Sequence, residues 1–277
     1  MASGDILICG LGLMGGSLAA ALTRAGRSVL LWHRRPEVAQ EAERRGFGKM
    51  IATLSEARTA ESAVVCTPVS TIPSLVRDIA AVTRAVITDV GSTKCGLLSE
   101  LHDLDAAGRF IGSHPMCGSH ATGLDHADAD LYRGRVVITT PTENTDRKAL
   151  DQIEDMWRVV GARLVRLDPA VHDRAVAVAS HLPHLLSSAA AAGLSDAAAP
   201  LAAGGFRDTT RVAAGDPALW ADILLANRGE VVPELARTLA RLEALRDALA
   251  DADRAAVQRW LEAGQAGRRR FEAAQHR

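Results

Sequence analysis

The sequence predicts an α/β chain in two parts: a doubly wound, mostly parallel sheet over residues 1–167 and an all-helical domain over residues 168–277. Three observations carry this. An apolar run, Ile6 to Cys9, leads into a glycine-rich turn and then an Ala/Leu-rich helical stretch. Short β-rich runs then alternate with helical stretches, the pattern of a parallel sheet covered on both faces. After Asp168-Pro169 strand-like runs vanish and Ala, Leu, Arg and Glu dominate, with helical spacing in Leu235, Leu239, Leu242, Leu245 and Leu249.

The first strand is read as Asp5 to Cys9. Behind it, Gly10-Leu11-Gly12-Leu13-Met14-Gly15 has the order strand, turn, helix that a dinucleotide site requires, which a chance run of glycines lacks. Gly10 permits the tight turn, Gly12 lets backbone N–H groups approach a pyrophosphate, and Gly15 lets the helix lie close to the strand. Leu13 and Met14 open that helix, whose N-terminus attracts phosphate charge. The first part is therefore expected to be Rossmann-like.

The second strand, Ser28 to Trp32, ends where an acid would accept hydrogen bonds from the ribose hydroxyls. The chain has His33, Arg34 and Arg35 there instead. A carboxylate would repel a 2′-phosphate, whereas two guanidiniums can hold one and His33 adds a donor, so NADP is favoured. If the arginines are only solvated at a strand end, NAD is the alternative. Further strands are expected at Ala63–Cys66, Ala85–Asp89, Phe110–Ile111, Val136–Thr139 and Arg163–Val165.

At 277 residues the chain has room for two modest domains, each with its own core. Its net charge is −1 and Lys and Arg are spread throughout, so no nucleic-acid or membrane partner is expected. No apolar run is expected to reach membrane-spanning length, and the polar Met1 to Asp5 start leaves no room for a signal peptide, which together point to a soluble, cytoplasmic protein. Cys9, Cys66, Cys95 and Cys117 form no CxxC pair and are read as reduced thiols, with neither disulfide nor zinc. The alanine- and leucine-rich helical half points to a homodimer, with an internal bundle in a monomer as the alternative.

Ligands of a doubly wound sheet collect at the carboxyl ends of its strands. The segments to inspect are therefore Thr67-Pro68-Val69-Ser70, placed to pass near the nicotinamide half of a cofactor, then Asp89-Val90-Gly91-Ser92-Thr93-Lys94, and Gly112-Ser113-His114-Pro115-Met116-Cys117-Gly118. The helical half adds Ser180-His181-Leu182-Pro183-His184, Gly204-Gly205-Phe206-Arg207-Asp208-Thr209-Thr210-Arg211, and Asp216-Pro217 with Trp220. In this order the segments resemble the prephenate/arogenate dehydrogenase family of tyrosine biosynthesis over nearly the whole chain. The resemblance implies a nucleotide-binding first domain, a helical dimerisation domain and an active site between them. It implies His114 as the catalytic histidine with Ser92 as its hydrogen-bonding partner, Arg211 on a substrate carboxylate, and His181, His184 and Trp220 lining the pocket.

The chemistry of that family suits these residue types. Prephenate is a cyclohexadienol with a ring carboxylate, a pyruvyl side chain and a 4-hydroxyl; its oxidation removes hydride from C4 and CO₂ from C1, leaving 4-hydroxyphenylpyruvate. A neutral imidazole at His114 can take the hydroxyl proton, Ser92 can donate and accept, and Arg211 supplies a fork for a planar carboxylate. Plainer roles stay open: Ser92 as a helix cap, Arg211 paired with Asp208, Trp220 as core, and His181 or His184 as structural rather than metal-binding. Many members of the family carry an acid shortly after the His-Pro-Met segment, where this chain has Ser119-His120. Without that partner for arogenate's ammonium, prephenate is the expected substrate, with His120 adding positive charge toward it. The alternatives are arogenate or aminodeoxyprephenate oxidation on the same scaffold, a β-hydroxyacid dehydrogenase or imine reductase, and a catalytically silent NADP-binding sensor.

Overall fold

The computed structural model describes residues 4–117 and 121–275. They fold in the order β1 (Ile6–Cys9), α1 (Leu13–Arg24), β2 (Val29–Trp32), α2 (Pro36–Arg44), β3 (Lys49–Met50), β4 (Ser62–Val65), α3 (Ile72–Val82), β5 (Val86–Asp89), α4 (Cys95–Glu100), α5 (His102–Ala106), β6 (Phe110–Pro115), β7 (Val136–Thr140), α6 (Arg147–Val159) and β8 (Arg163–Arg166). Helices follow: α7 (Pro169–Val176), a π turn over Ala177–His181, α8 (Leu182–Ala192), α9 (Gly204–Thr210), α10 (Pro217–Ala226), α11 (Arg228–Ala250) and α12 (Arg254–Gln275). The α/β class and the all-helical second part are as the sequence predicts.

The eight strands lie in the order β3-β2-β1-β4-β5-β6-β7-β8. All neighbouring pairs are parallel except β6 and β7, so β7 and β8 run against the other six. Both faces are covered, which is why β1 is apolar at every position. Its Ile6 and Ile8 join a core with Leu18 and Leu22 of α1 and Ile153 and Trp157 of α6. Leu7 and Cys9 join a second core with Ile72, Val76 and Ile79 of α3 and Leu97 of α4.

Three expectations change. The two-residue β3 has no alternating pattern that would reveal it, and pairs with β2 through Leu30 and Leu31. Strand β6 does not stop at Ile111: it continues through Gly112, Ser113, His114 and Pro115 by pairing antiparallel with β7, His114 opposite Ile138. The Gly-Ser-His-Pro composition reads as a turn, and only the long-range partner makes it a strand. Lastly, the continuous helical run Pro169–Ala192, mean hydropathy 1.2, is long and apolar enough to cross a membrane by length and composition. It nevertheless buries His172, Asp173, His181 and His184.

The chain divides into two compact units, Met1–Arg228 and Gly229–Arg277. The unit that holds the sheet thus continues past residue 167 through α10. Within it, Ser70 after β4 donates to Asp222 Oδ2 of α10 at 2.7 Å, and Asp173 of α7 accepts from the backbone N–H groups of Lys94 (2.8 Å) and Cys95 (2.9 Å) at the start of α4. In the second unit, α11 and α12 are joined by a bond from Trp260 Nε1 to Arg241 O at 3.1 Å.

Candidate active site

After β1 the chain runs to β2 and β3 on one side, then returns to β4 on the other. The crevice where the winding reverses lies at the carboxyl ends of β1 and β4, the place doubly wound sheets reserve for ligands. Gly10 turns there with φ +93°, and a Cβ on it would sit 2.8 Å from Cys66 O and from Thr67 Cγ2, so the glycine turn and the post-β4 turn are in contact. Thr67 is half-buried and Pro68 exposed, and Thr71 Oγ1 donates to Pro68 O at 2.9 Å. A Cβ on Gly15 would lie 1.8 Å from Gly10 O, which is how closely α1 approaches the turn.

Helix α1 begins at Gly12 with no side-chain cap and no acid in its first turn. Its first N–H groups, from Gly12 through Gly15, therefore have no helical acceptor and face the turn. This is a donor set matched to a pyrophosphate, so the residues present fit a dinucleotide. Gly15→Ala should push turn and helix apart and weaken dinucleotide binding about tenfold or more, ~1.4 kcal/mol. A fluorescence titration of the reduced nucleotide would read this, with circular dichroism verifying that the sheet is retained.

At the end of β2, His33 is half-buried and Arg35 N–H donates to its Nδ1 at 3.0 Å. Burial chiefly lowers the His33 pKa, and the Arg35 and Arg34 charges lower it further. Arg34 and Arg35 are exposed, with no ion pair among the described residues.

Strand β6 pairs with β5 only through Phe110 and Ile111, so Ser113 and His114 project beyond the paired edge of β5 toward the carboxyl side of the sheet. Ser113 Oγ turns to Trp157 Nε1 at 3.2 Å, and strand alternation sends His114 to the opposite face, where α7 lies. His114 Nδ1 is 2.8 Å from His172 Nε2, and His172 Nδ1 is 2.7 Å from Asp173 Oδ1. Burial pushes the His114 imidazole well below the ordinary histidine value; His172, Lys94 and His181 act in the same direction and outweigh Asp173. Burial also opposes ionisation of Asp173, but hydrogen bonds from His172 and the Cys95 and Lys94 N–H groups hold its carboxyl below the usual range.

The group continues through Asn227, whose Nδ2 donates to Asp173 O at 2.9 Å and to His181 Nδ1 at 3.1 Å. His181 therefore carries its proton on Nε2, and burial lowers its pKa to about 4. Trp220 stands edge-on to His181 with centroids 6.2 Å apart and stacks on His184 at 3.6 Å and 13°. His184 Nδ1 is buried without a hydrogen-bond partner among the described residues. The structure thus brings together His114, His181, His184 and Trp220.

Other expected residues make no hydrogen bond to this group among the described residues. Ser92 is half-buried and makes no side-chain hydrogen bond among the described residues; the start of α4 is held by Asp173, so capping by Ser92 does not occur. Arg211 is exposed at the start of the turn that leads to Gly215 beside Trp220, and Asp208 pairs with Arg207 rather than with it. Ser119 and His120 lie outside the described residues.

Sequence reading missed His172, Asp173 and Asn227, and assigned no role to Lys94 or Asp89. Lys94 Nζ donates to Asp89 Oδ2 and to Ser113 O (2.7 Å), with both side chains fully buried. The available signal was a His-Asp pair in an otherwise Ala/Val-rich helix, where polar groups are buried only when paired.

A helix-terminated glycine turn at a sheet reversal, with a buried imidazole at the carboxyl edge of the same sheet, defines a nucleotide-dependent oxidoreductase of the doubly wound class. Residues 18–166 match the family model described as prephenate dehydrogenase, nucleotide-binding domain, and residues 168–263 match prephenate dehydrogenase, dimerization domain; the chain belongs to the prephenate dehydrogenase family. It is 31% identical over 255 residues to the prephenate dehydrogenase of Bacillus subtilis, covering 87% of this chain and 69% of that one. The crystal structure of Synechocystis arogenate dehydrogenase is similar at TM-score 0.84 and 31% identity, over 96% of this chain and 99% of that one. Prephenate dehydrogenase from A. aeolicus, in complex with hydroxyphenyl propionate and NAD⁺, is similar at TM-score 0.86 and 28% identity, over 98% and 99%.

Proposed function

We propose that this chain oxidises prephenate to 4-hydroxyphenylpyruvate and CO₂ with a nicotinamide dinucleotide, NADP in preference to NAD. The observation that carries the reading is His114, a buried imidazole kept neutral at the carboxyl edge of the sheet whose first turn fits a dinucleotide. When bound, the nicotinamide supplies the hydride acceptor. His114 accepts the hydroxyl proton on Nε2, the nitrogen that His172 leaves free. Ser92 orients the same hydroxyl or the ring, Arg211 holds a substrate carboxylate, and His181, His184 and Trp220 line the ring pocket, with Ser119 and His120 as further substrate-binding residues. The unpaired Nδ1 of His184 supports that lining role, because a buried lone nitrogen is costly without a ligand to meet it.

Residues 1–167 form the nucleotide-binding part in this reading, and residues 168–277 the substrate and dimerisation part. Exposed Leu239, Leu242 and Leu249 on α11 and Leu261 on α12 support a homodimer. The protein is proposed to be a soluble cytoplasmic enzyme. Arg34 and Arg35, exposed beside His33 and without an ion pair among the described residues, support NADP, while similarity to the Synechocystis enzyme keeps arogenate as the second substrate reading.

The test is absorbance at 340 nm with prephenate or arogenate against NADP or NAD. Prephenate with NADP should give the highest kcat/KM, and replacing Arg34 and Arg35 together by Ala should erase the NADP preference while sparing turnover with NAD. No absorbance change in any pairing would overturn the assignment and favour a nucleotide-binding sensor.

A further inference from the structure

His114 is held at one ring nitrogen by a second histidine, and that histidine is held by a carboxylate. The proton positions follow from chemistry. Asp173 is ionised and can only accept, so the His172 Nδ1 that meets it carries a proton; with a single proton on that ring, Nε2 presents a lone pair. His114 must then donate from Nδ1 across the 2.8 Å contact, which leaves its Nε2 bare. We propose that Asp173 and His172 are positioning residues, a two-step relay that fixes His114 in the Nε2-unprotonated tautomer and so makes it a proton acceptor. This rests on the role of His114 given above.

The relay is anchored on more than its own helix. Asp173 also accepts from the N–H groups of Lys94 and Cys95 at the start of α4, and its backbone carbonyl accepts from Asn227. Its carboxylate therefore cannot rotate away without leaving buried donors unpaired. His172 is fully buried, and its ring meets His114 at 72° with centroids 5.1 Å apart. Interposing a second imidazole keeps the carboxylate one residue away from the base. The base is thus oriented without the rise in pKa that a carboxylate directly on His114 Nδ1 would bring. When Nε2 takes the substrate proton, the imidazolium that forms donates to a ring already paired with Asp173.

The experiment uses the full chain labelled with ¹⁵N-histidine and long-range ¹H–¹⁵N NMR at neutral pH. In the wild type, His114 and His172 should each show a protonated Nδ1 and an unprotonated Nε2. His172→Phe fills the space but offers no acceptor, so a signal for protonated Nε2 of His114 should appear. Its kcat should fall by about a hundredfold or more, with KM and nucleotide affinity within about threefold. His172→Gln restores an acceptor and should recover most of the lost kcat. A protonated His114 Nε2 in the folded wild type, or folded His172→Phe turning over within about threefold of wild type, would overturn the relay. Should the wild type ignore prephenate altogether, the functional assignment falls while the tautomer measurement still decides the relay.

Discussion

His114→Asn is expected to lower kcat by about 10²- to 10⁴-fold, the span that one general base contributes, with nucleotide affinity nearly unchanged. Asparagine keeps a donor where His114 Nδ1 meets His172, so the buried contact at the end of β6 survives and the sheet is not penalised. What it lacks is a basic nitrogen. The glycine turn, α1 and the post-β4 turn are untouched, so a fluorescence titration should give the wild-type nucleotide Kd while stopped assays show almost no product. Loss of nucleotide binding and turnover together would point to misfolding instead. The pH profile follows from the same surroundings. Burial first, then the electrostatic influence of His172, Lys94 and His181, depresses the His114 pKa. A depressed pKa means that the acceptor form persists below the usual histidine range and is lost only as pH falls through the lowered value. For the wild type, log kcat/KM should therefore stay level as pH drops through about 6.5, turning down only in more acidic buffer. A downturn at or above that value would contradict a buried neutral base.

The sequence made the frame of this site legible and hid its wiring. Ile6 to Cys9, the glycine turn and α1 are local, each carrying its own signal in spacing or in a residue only glycine can replace, so the nucleotide cradle was readable. His114 was readable too, but as a turn residue. Its strand exists because β7 pairs with it from more than twenty residues away, antiparallel in a sheet that is otherwise almost wholly parallel. The partners of His114 were illegible for the same reason. His172 and Asp173 sit on α7, past the point where the composition changes, and nothing in a linear reading ties an Ala/Val-rich helix to the edge of a strand. Ser92 illustrates the converse: its neighbourhood flagged it, yet the cap of α4 comes from Asp173. Capping by a residue far along the chain leaves no mark near the helix it caps.

Lys94→Met should destabilise the folded chain by ~3–5 kcal/mol, the cost of removing one partner from a buried ion pair. Lys94 and Asp89 have fully buried side chains. Burial lowers the Lys94 pKa, while Asp89 and Asp173 act to retain its charge. Methionine matches the stem in volume but leaves Asp89 with only the N–H groups of Gly91 (2.7 Å) and Ser113 (3.1 Å) to satisfy a charge, and leaves Ser113 O without its donor. Urea unfolding should show a lower midpoint at unchanged slope. Asp89→Asn in the same chain should recover part of the loss, because no charge is then stranded. A loss below about 1 kcal/mol would mean that the pair contributes no more than a surface bridge. Catalysis should respond in step, since Lys94 and Asp89 grip Ser113 on its carbonyl and its N–H, one residue before His114. Removing the Lys94 charge also takes away one of the influences that depress the His114 pKa. The acidic limb of kcat/KM should accordingly move to higher pH in Lys94→Met, and a limb that stayed in place would separate the ion pair's structural role from its electrostatic one.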